Sequence, residues 1–271
     1  MNYQELYEQI KAKKSFLCVG LDSDPKLLPA CLKDVKYPIY EFNKAIIEQT
    51  AKYTVAYKPN LAFYEAEGVE GWIQLEMTLQ FIKENYPEIL VIVDAKRGDI
   101  GNTASRYARA FFEKMNFDAV TLAPYMGSDS IKPFLEYEGK WSVVLALTSN
   151  KSANDFEQLQ LEGGEPLYKK VICEAMTWGS KENTMFVLGA TRPEKLAEIR
   201  EYCPDHFFLV PGVGAQGGTV EEVAKYGLNS HCGLLVNSSR GIIFADSTEN
   251  FAVVAGEKAR ELAQEMALYI K

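Results

Sequence analysis

The stretch VIVDAKRGDIGNTA at 91–104 runs three β-branched apolar residues into Asp94, Lys96, Arg97 and Asp99, acids and bases interleaved, ahead of a pattern that opens a helix. Side chains alternate along a strand, so Asp94 and Lys96 face one side. Lys58 ends the preceding apolar run, TVAYKPN at 54–60, and reaches the pair if the two runs are neighbours. A charge beside an apolar interior needs an opposite neighbour, and an alternating Lys58–Asp94–Lys96 array meets that need. Taken alone, a D-x-K after an apolar run is usually a solvated strand end. Lys58, Asp99 and the following helix pattern make this one a candidate site. One chemistry for lysines is Schiff-base attack, which needs a depressed pKa, and flanking aspartates push the other way. The other is charge fixed in place to meet charge that develops on a substrate.

These residues need strands to present them. Eight apolar runs recur at a βα spacing: 16–22, 54–60, 90–96, 119–124, 142–150, 185–191, 207–214 and 233–240. Helical patterns lie between them, such as YEFNKAIIEQTAKY, VEGWIQLEMTLQFIKENY and TASRYARAFFEKM, and ENFAVVAGEKARELAQEMALYIK follows the last run. Alternation of this kind gives a parallel sheet covered on both faces. With 271 residues, it predicts an α/β fold, a (β/α)8 TIM barrel formed as a single domain over 1–271. The alternative is an open doubly wound sheet, weakened by the lack of G-x-G-x-x-G after the first run. The segment SNKSANDFEQLQLEGGEP at 149–166 is the longest irregular stretch and a candidate loop over the site.

A barrel carries its chemistry where strands end. Those ends supply Asp22, Lys58, Asn60, Asp94, Lys96, Thr148, Ser149, Pro211 and Arg240. PGVGAQGG at 211–218 is glycine-rich and precedes a helix pattern, TVEEVAKYG. Backbone N–H groups at such a place bind phosphate, with Gln216 and the Arg240 fork as further donors. An ordinary glycine turn and a surface arginine are the bland readings of these two features.

Composition narrows the partners. Net charge is −8, which gives no reason to expect nucleic acid or an anionic membrane. No run is long and apolar enough to predict a membrane span. The five cysteines are scattered without CxxC pairing, which suits reduced thiols in a cytoplasm. Cys18 and Cys232 fall inside strands and read as core. Two histidines, His206 and His231, leave few candidates for a histidine metal centre or a Ser-His-Asp triad.

DAKRGDIGNTA, preceded by AYKPNLAFYE, resembles the orotidine 5′-phosphate decarboxylase family, and the form DAKRGDIG resembles its longer bacterial subgroup. The likeness covers nearly the whole chain: GLDSDP at 20–25, KPN at 58–60, DAKRGD at 94–99, TSN at 148–150, PGVGAQGG at 211–218 and NSSRG at 237–241. D-x-K-x-x-D alone is shared with sugar-phosphate relatives, whereas the ordered set of motifs is specific.

The resemblance implies decarboxylation of orotidine 5′-monophosphate to uridine 5′-monophosphate in pyrimidine biosynthesis. It implies no cofactor, no metal and a cytoplasmic homodimer with shared active sites. It makes Lys96 the cation beside C6 and the proton donor, with Lys58 and Asp94 holding it. Asp99, with Ile100 and Thr103, reaches the neighbouring subunit's site. The bland reading of Asp99 and Thr103 is helix capping. Asp22 and Asn60 bind ribose hydroxyls or support Lys58, Ser149 reads the pyrimidine edge, and Pro211 packs on the ring. Gln216 and Arg240 hold the phosphate.

Three other functions fit parts of the pattern. A metal-dependent relative places an acid at the second strand end, where Lys58 would repel a cation. An aldolase would use Lys58 or Lys96 as nucleophile. A non-catalytic nucleotide sensor would have no need of the charge array.

Overall fold

The computed structural model describes residues 1–190, 193–213 and 217–270. Its strands are β1 (Leu17–Leu21), β2 (Thr54–Pro59), β3 (Leu90–Arg97), β4 (Ala119–Leu122), β5 (Trp141–Leu147), β6 (Thr184–Leu188), β7 (Phe207–Pro211) and β8 (Leu234–Ser238). All pair in parallel in chain order, and β8 returns to β1 through Leu17↔Val236, Cys18↔Asn237 and Val19↔Ser238. That last pairing closes the barrel and excludes the open sheet.

The helices are α1 (Tyr3–Lys13), α2 (Pro38–Thr50), α3 (Leu61–Glu65), α4 (Gly68–Asn85), α5 (Gly101–Arg109) and α6 (Lys132–Leu135). They continue with α7 (Leu167–Trp178), α8 (Pro193–Tyr202), α9 (Val220–Gly227), α10 (Arg240–Ile243) and α11 (Phe251–Ala267). Strands β1, β2, β4, β6 and β8 are buried along their whole length. That is why they read as continuous apolar runs: barrel interior lies on one face and helices on the other. Strand β3 departs from this at Ala95, Lys96 and Arg97, where it leaves the core for the mouth.

All the strands but β3 end earlier than the apolar runs suggest. Strand β5 stops at Leu147, ahead of Thr148, Ser149 and Asn150. Strand β7 stops at Pro211, because Gly212 turns to φ +102°, where only glycine sits freely. Strand β8 stops at Ser238, and Arg240 opens α10. The polar ends of the runs therefore lie in the βα loops. The stretch 149–166 also has structure: a 3-10 turn at Lys151–Asp155 and a bridge between Gln160 and Pro166.

Helix α1 closes the opposite end. Asn2 and Glu5 cap it reciprocally, with Glu5 N donating to Asn2 Oδ1 at 2.9 Å and Asn2 N to Glu5 Oε2 at 2.8 Å, worth about 1 kcal/mol. Its Tyr3 packs on Trp141 and Phe207, which begin β5 and β7, and donates to Asp205 O at 2.9 Å. Lys13 Nζ donates to Ala51 O and Thr54 O at the start of β2. The N-terminal end of the barrel is thus plugged, and the other end carries the charged residues.

Candidate active site

The site begins with an irregularity in β3. Val93 pairs with Val120 and Arg97 with Leu122, so residues 94–96 stand against Thr121 alone. A bulge of this kind re-aims side chains next to a functional site. Lys96 takes φ +46° within it, a left-handed conformation that costs a non-glycine residue about 1–2 kcal/mol. Arg97 braces the turn. Its Nη1 donates to Ala95 O at 3.1 Å, its Nη2 to Glu65 Oε1 at 2.5 Å, and its guanidinium lies over the Tyr107 and Phe111 rings. Glu65 ends α3, so this pair ties the loop after β2 to the end of β3.

The bulge brings three ions together. Lys58 Nζ donates to Asp94 Oδ2 at 2.8 Å, and Lys96 Nζ donates to Asp94 Oδ1 at 2.6 Å. Thr121 Oγ1 donates to the same Oδ1 at 2.9 Å and accepts from Lys96 N at 3.0 Å. Burial alone would raise the Asp94 carboxyl, but Lys58 and Lys96 outweigh it and hold the carboxylate well below its usual range. Burial alone would lower Lys58, but Asp94 and Asp22 overcome it and hold the ammonium above the ordinary lysine range. An amine so held is a fixed cation and a poor Schiff-base nucleophile. A cation also fills the place where a metal-binding relative needs an acid.

The remaining predicted residues ring this cluster. Asp22 follows β1, and its Oδ1 is buried without a partner among the described residues, an acceptor left open for a hydroxyl. Asn60 bridges Asp94 along the strands, and its side chain caps α3 by accepting from Ala62 N at 3.3 Å. Ser149 follows β5 and packs on β6's end: a Cβ on Gly189 would lie 2.8 Å from Ser149 Cβ and N. Pro211 is half-buried at the end of β7. Arg240 is exposed at the start of α10. Gln216 lies outside the described residues.

Asp99 and Thr103 point elsewhere. Asp99 Oδ1 accepts from Ile100 N at 2.8 Å, and Asp99 makes no ion pair with either lysine among the described residues. Thr103 is exposed on the first turn of α5, and Ile100 beside it is 46% exposed. Neither side chain caps α5, whose N-cap residue is Ile100 with no side-chain cap bond. The chain therefore does not bring Asp99 to its own Lys–Asp–Lys cluster.

Three participants escaped the reading of the sequence. Thr121 lies within the apolar run 119–124, where a polar residue inside a buried strand is the available signal. Glu157 accepts from Thr148 N at 2.7 Å and Thr148 Oγ1 at 2.9 Å, fastening loop 149–166 to the end of β5; no local pattern foretells that contact. Arg97 reads in the sequence only as one charge of the cluster, because its bracing of the bulge depends on the tertiary position of Glu65. Cys18 and Cys232 are buried as expected. Burial pushes the Cys18 thiol up to about 12, which removes it as a nucleophile at neutral pH.

A closed barrel of eight parallel strands that carries a Lys–Asp–Lys array at its mouth, Lys58 and Asp94 buried and Lys96 half-exposed, has the architecture of a (β/α)8 barrel enzyme. Residues 15–252 match the model of the orotidine 5′-phosphate decarboxylase / HUMPS family. A protein of Bacteroides fragilis named orotidine 5′-phosphate decarboxylase is 58% identical over 100% of this chain and 99% of its own. One of the same name from Phocaeicola vulgatus is 58% identical over 98% of each. The solved structure of Leishmania donovani OMP decarboxylase superposes with a TM-score of 0.82 at 37% identity, covering 99% of both chains. The chain belongs to the orotidine 5′-phosphate decarboxylase / HUMPS family. Among the described residues no helix is long and apolar enough to cross a membrane.

Proposed function

We propose that the protein decarboxylates orotidine 5′-monophosphate to uridine 5′-monophosphate, and that Lys96 both stabilises and protonates the C6 carbanion. The observation that carries the reading is the pair of lysines on opposite oxygens of Asp94. The C6–carboxylate bond breaks, CO₂ leaves, and the electron pair stays at C6 in the ring plane, where the π system cannot take it. A cation fixed beside C6 lowers the energy of that pair more than that of the substrate, which is the condition for catalysis. An N–H proton of Lys96 then passes to C6, and solvent returns a proton to the amine. Lys58 contributes by anchoring Asp94 from the buried side. Repulsion between Asp94 and the departing carboxylate adds a smaller push.

The substrate's two ends are held apart from this centre. Ser149 reads the pyrimidine edge and Pro211 packs on the ring. Asp22, with its open acceptor, and Asn60 take the ribose hydroxyls. Arg240 and Gln216 hold the phosphate, whose binding energy supports the chemical step from a distance.

The working unit is a homodimer in which Asp99 and Thr103 serve the partner's site. Their outward direction supports this, as does the company they keep. Ile100, Tyr125, Met126, Phe156 and Leu159 expose large apolar side chains on the loops after β3, β4 and β5. A surface of that kind favours a protein contact.

A spectrophotometric assay with orotidine 5′-monophosphate tests the reading. Wild type turns over in EDTA, and Lys96→Ala loses far more than tenfold in kcat. A loss within tenfold, about 1.4 kcal/mol, would contradict the role of Lys96. Loss of wild-type activity on chelation, restored by Mg²⁺, would favour a metal-dependent reaction instead.

A further inference from the structure

We infer that Thr121 is a positioning residue for the reaction, one hydroxyl that sets both the carboxylate of Asp94 and the backbone of Lys96. The inference rests on the decarboxylase reading and adds a residue to it.

A hydroxyl has one hydrogen to give and lone pairs to accept with. Thr121 uses both on the two groups that matter most. Its hydrogen goes to Asp94 Oδ1 at 2.9 Å, and its oxygen takes the Lys96 N–H at 3.0 Å. Both bonds cross the bulge, where residues 94–96 face Thr121 alone. An ordinary ladder would have offered Lys96 N a backbone carbonyl. Here the strand has swung away, and the side chain of Thr121 fills the gap. Thr121 is 2% exposed, so water does not replace it, and a buried N–H without a partner is costly.

The consequence for catalysis is geometric. Asp94 Oδ1 takes both Lys96 Nζ and Thr121 Oγ1, while Oδ2 takes Lys58. Lys58 anchors Oδ2 from the buried side, but the lysine on the other oxygen is half-exposed. Thr121 comes from a third strand and gives Oδ1 a buried donor as well, so the carboxylate is held at both oxygens. It also holds the left-handed φ of +46° at Lys96, which decides where the ε-amine starts. A β-branched residue in a strand is unremarkable by itself. Two hydrogen bonds to adjacent members of the charge array are not explained by strand propensity.

Thr121→Val keeps the shape and removes the hydroxyl, and Thr121→Ser keeps the hydroxyl. Steady-state kinetics on orotidine 5′-monophosphate are measured for both, with hydrogen exchange at the Lys96 amide as a readout that needs no substrate. In Thr121→Val, kcat falls about ten- to a hundredfold while KM stays within about threefold, because the groups that grip ribose and phosphate are untouched. The Lys96 amide loses protection. Thr121→Ser restores kcat and amide protection. An unchanged kcat in Thr121→Val overturns the inference. So does a parallel loss in kcat and KM, or a Thr121→Ser variant as impaired as the valine. Unchanged Lys96 exchange overturns it whatever the kinetics. A wild type that leaves orotidine 5′-monophosphate unreacted, with the exchange effects intact, overturns the reaction and not the placement of Thr121.

Discussion

Lys58 and Lys96 grip opposite oxygens of one carboxylate, at 2.8 and 2.6 Å, from environments that differ sharply: the Lys58 side chain is 6% exposed and that of Lys96 is 51% exposed. Two ion pairs of nearly equal length therefore do different work. The buried one fixes Asp94 in the barrel. The open one faces solvent at the mouth of the barrel.

Stability and activity should separate along that line. Lys58→Ala leaves Asp94 buried with its inner oxygen unpaired, and urea unfolding should show a loss of about 3–5 kcal/mol along with lost turnover. Lys96→Ala should unfold within about 1 kcal/mol of wild type, because half-exposed ion pairs contribute little, while kcat collapses. Equal destabilisation by the two would mean that Lys96 is held as a structural ion.

The homodimer with shared sites proposed above makes a prediction about mixtures. Lys96→Ala and Asp99→Ala chains are each inactive alone. In a mixed dimer the Asp99→Ala barrel keeps its own Lys96 and receives Asp99 from its partner, so one site is whole. Co-refolding equal amounts should return about a quarter of wild-type activity. A mixture as dead as its components would place each site within one protomer.

His206 should set the protein's sensitivity to mild acid. It is 8% exposed, and neither ring nitrogen has a partner among the described residues. Burial first, then the nearby Arg200, lowers it from 6.5 to about 4, against a smaller opposing pull from Asp205. The folded pKa lies below the unfolded one, so folding excludes a proton. The stability is complete above pH 6.5 and drains as pH falls toward 4, by at most roughly 3 kcal/mol. Thermal midpoints between pH 7 and 4.5 should fall less steeply in His206→Phe. Identical slopes would assign the acid loss to other groups.

Gly20 should control the proposed phosphate end at Arg240. A Cβ there would lie 1.8 Å from Ser239 Oγ and 2.9 Å from its Cβ, and Ser239 carries the chain into Arg240. Gly20→Ala should push Ser239 outward and raise KM for orotidine 5′-monophosphate about tenfold or more, sparing kcat. Gly241→Ala, whose nearest contact is Ser238 Oγ at 3.8 Å, serves as the control and should change KM little.

Much of this was legible in the linear chain. Strands buried on both faces announce themselves as unbroken apolar runs, and the polar residues that end those runs mark the mouth. The pairing of Asp94 with Lys96 was read from strand alternation. Their side chains do meet, yet through a bulge that breaks the alternation at a left-handed lysine. The part that was not legible depends on register. Which residue of β4 faces the bulge, and so the role of Thr121, follows from how two strands slide against each other. The short helices α3, α6 and α10 lack the turns needed to show a period. The clasp of Glu157 on Thr148 joins residues that only a folded loop brings together.

The left-handed backbone at residue 96 has one more consequence. Folding by itself would prefer glycine or asparagine there, and a lysine sits at that position against the conformational leaning of its own peptide unit. Lys96→Gly would then make a chain relaxed at this point and chemically silent. Thermostability screens without an activity check would select that silence, since the strain is inseparable from the amine it aims.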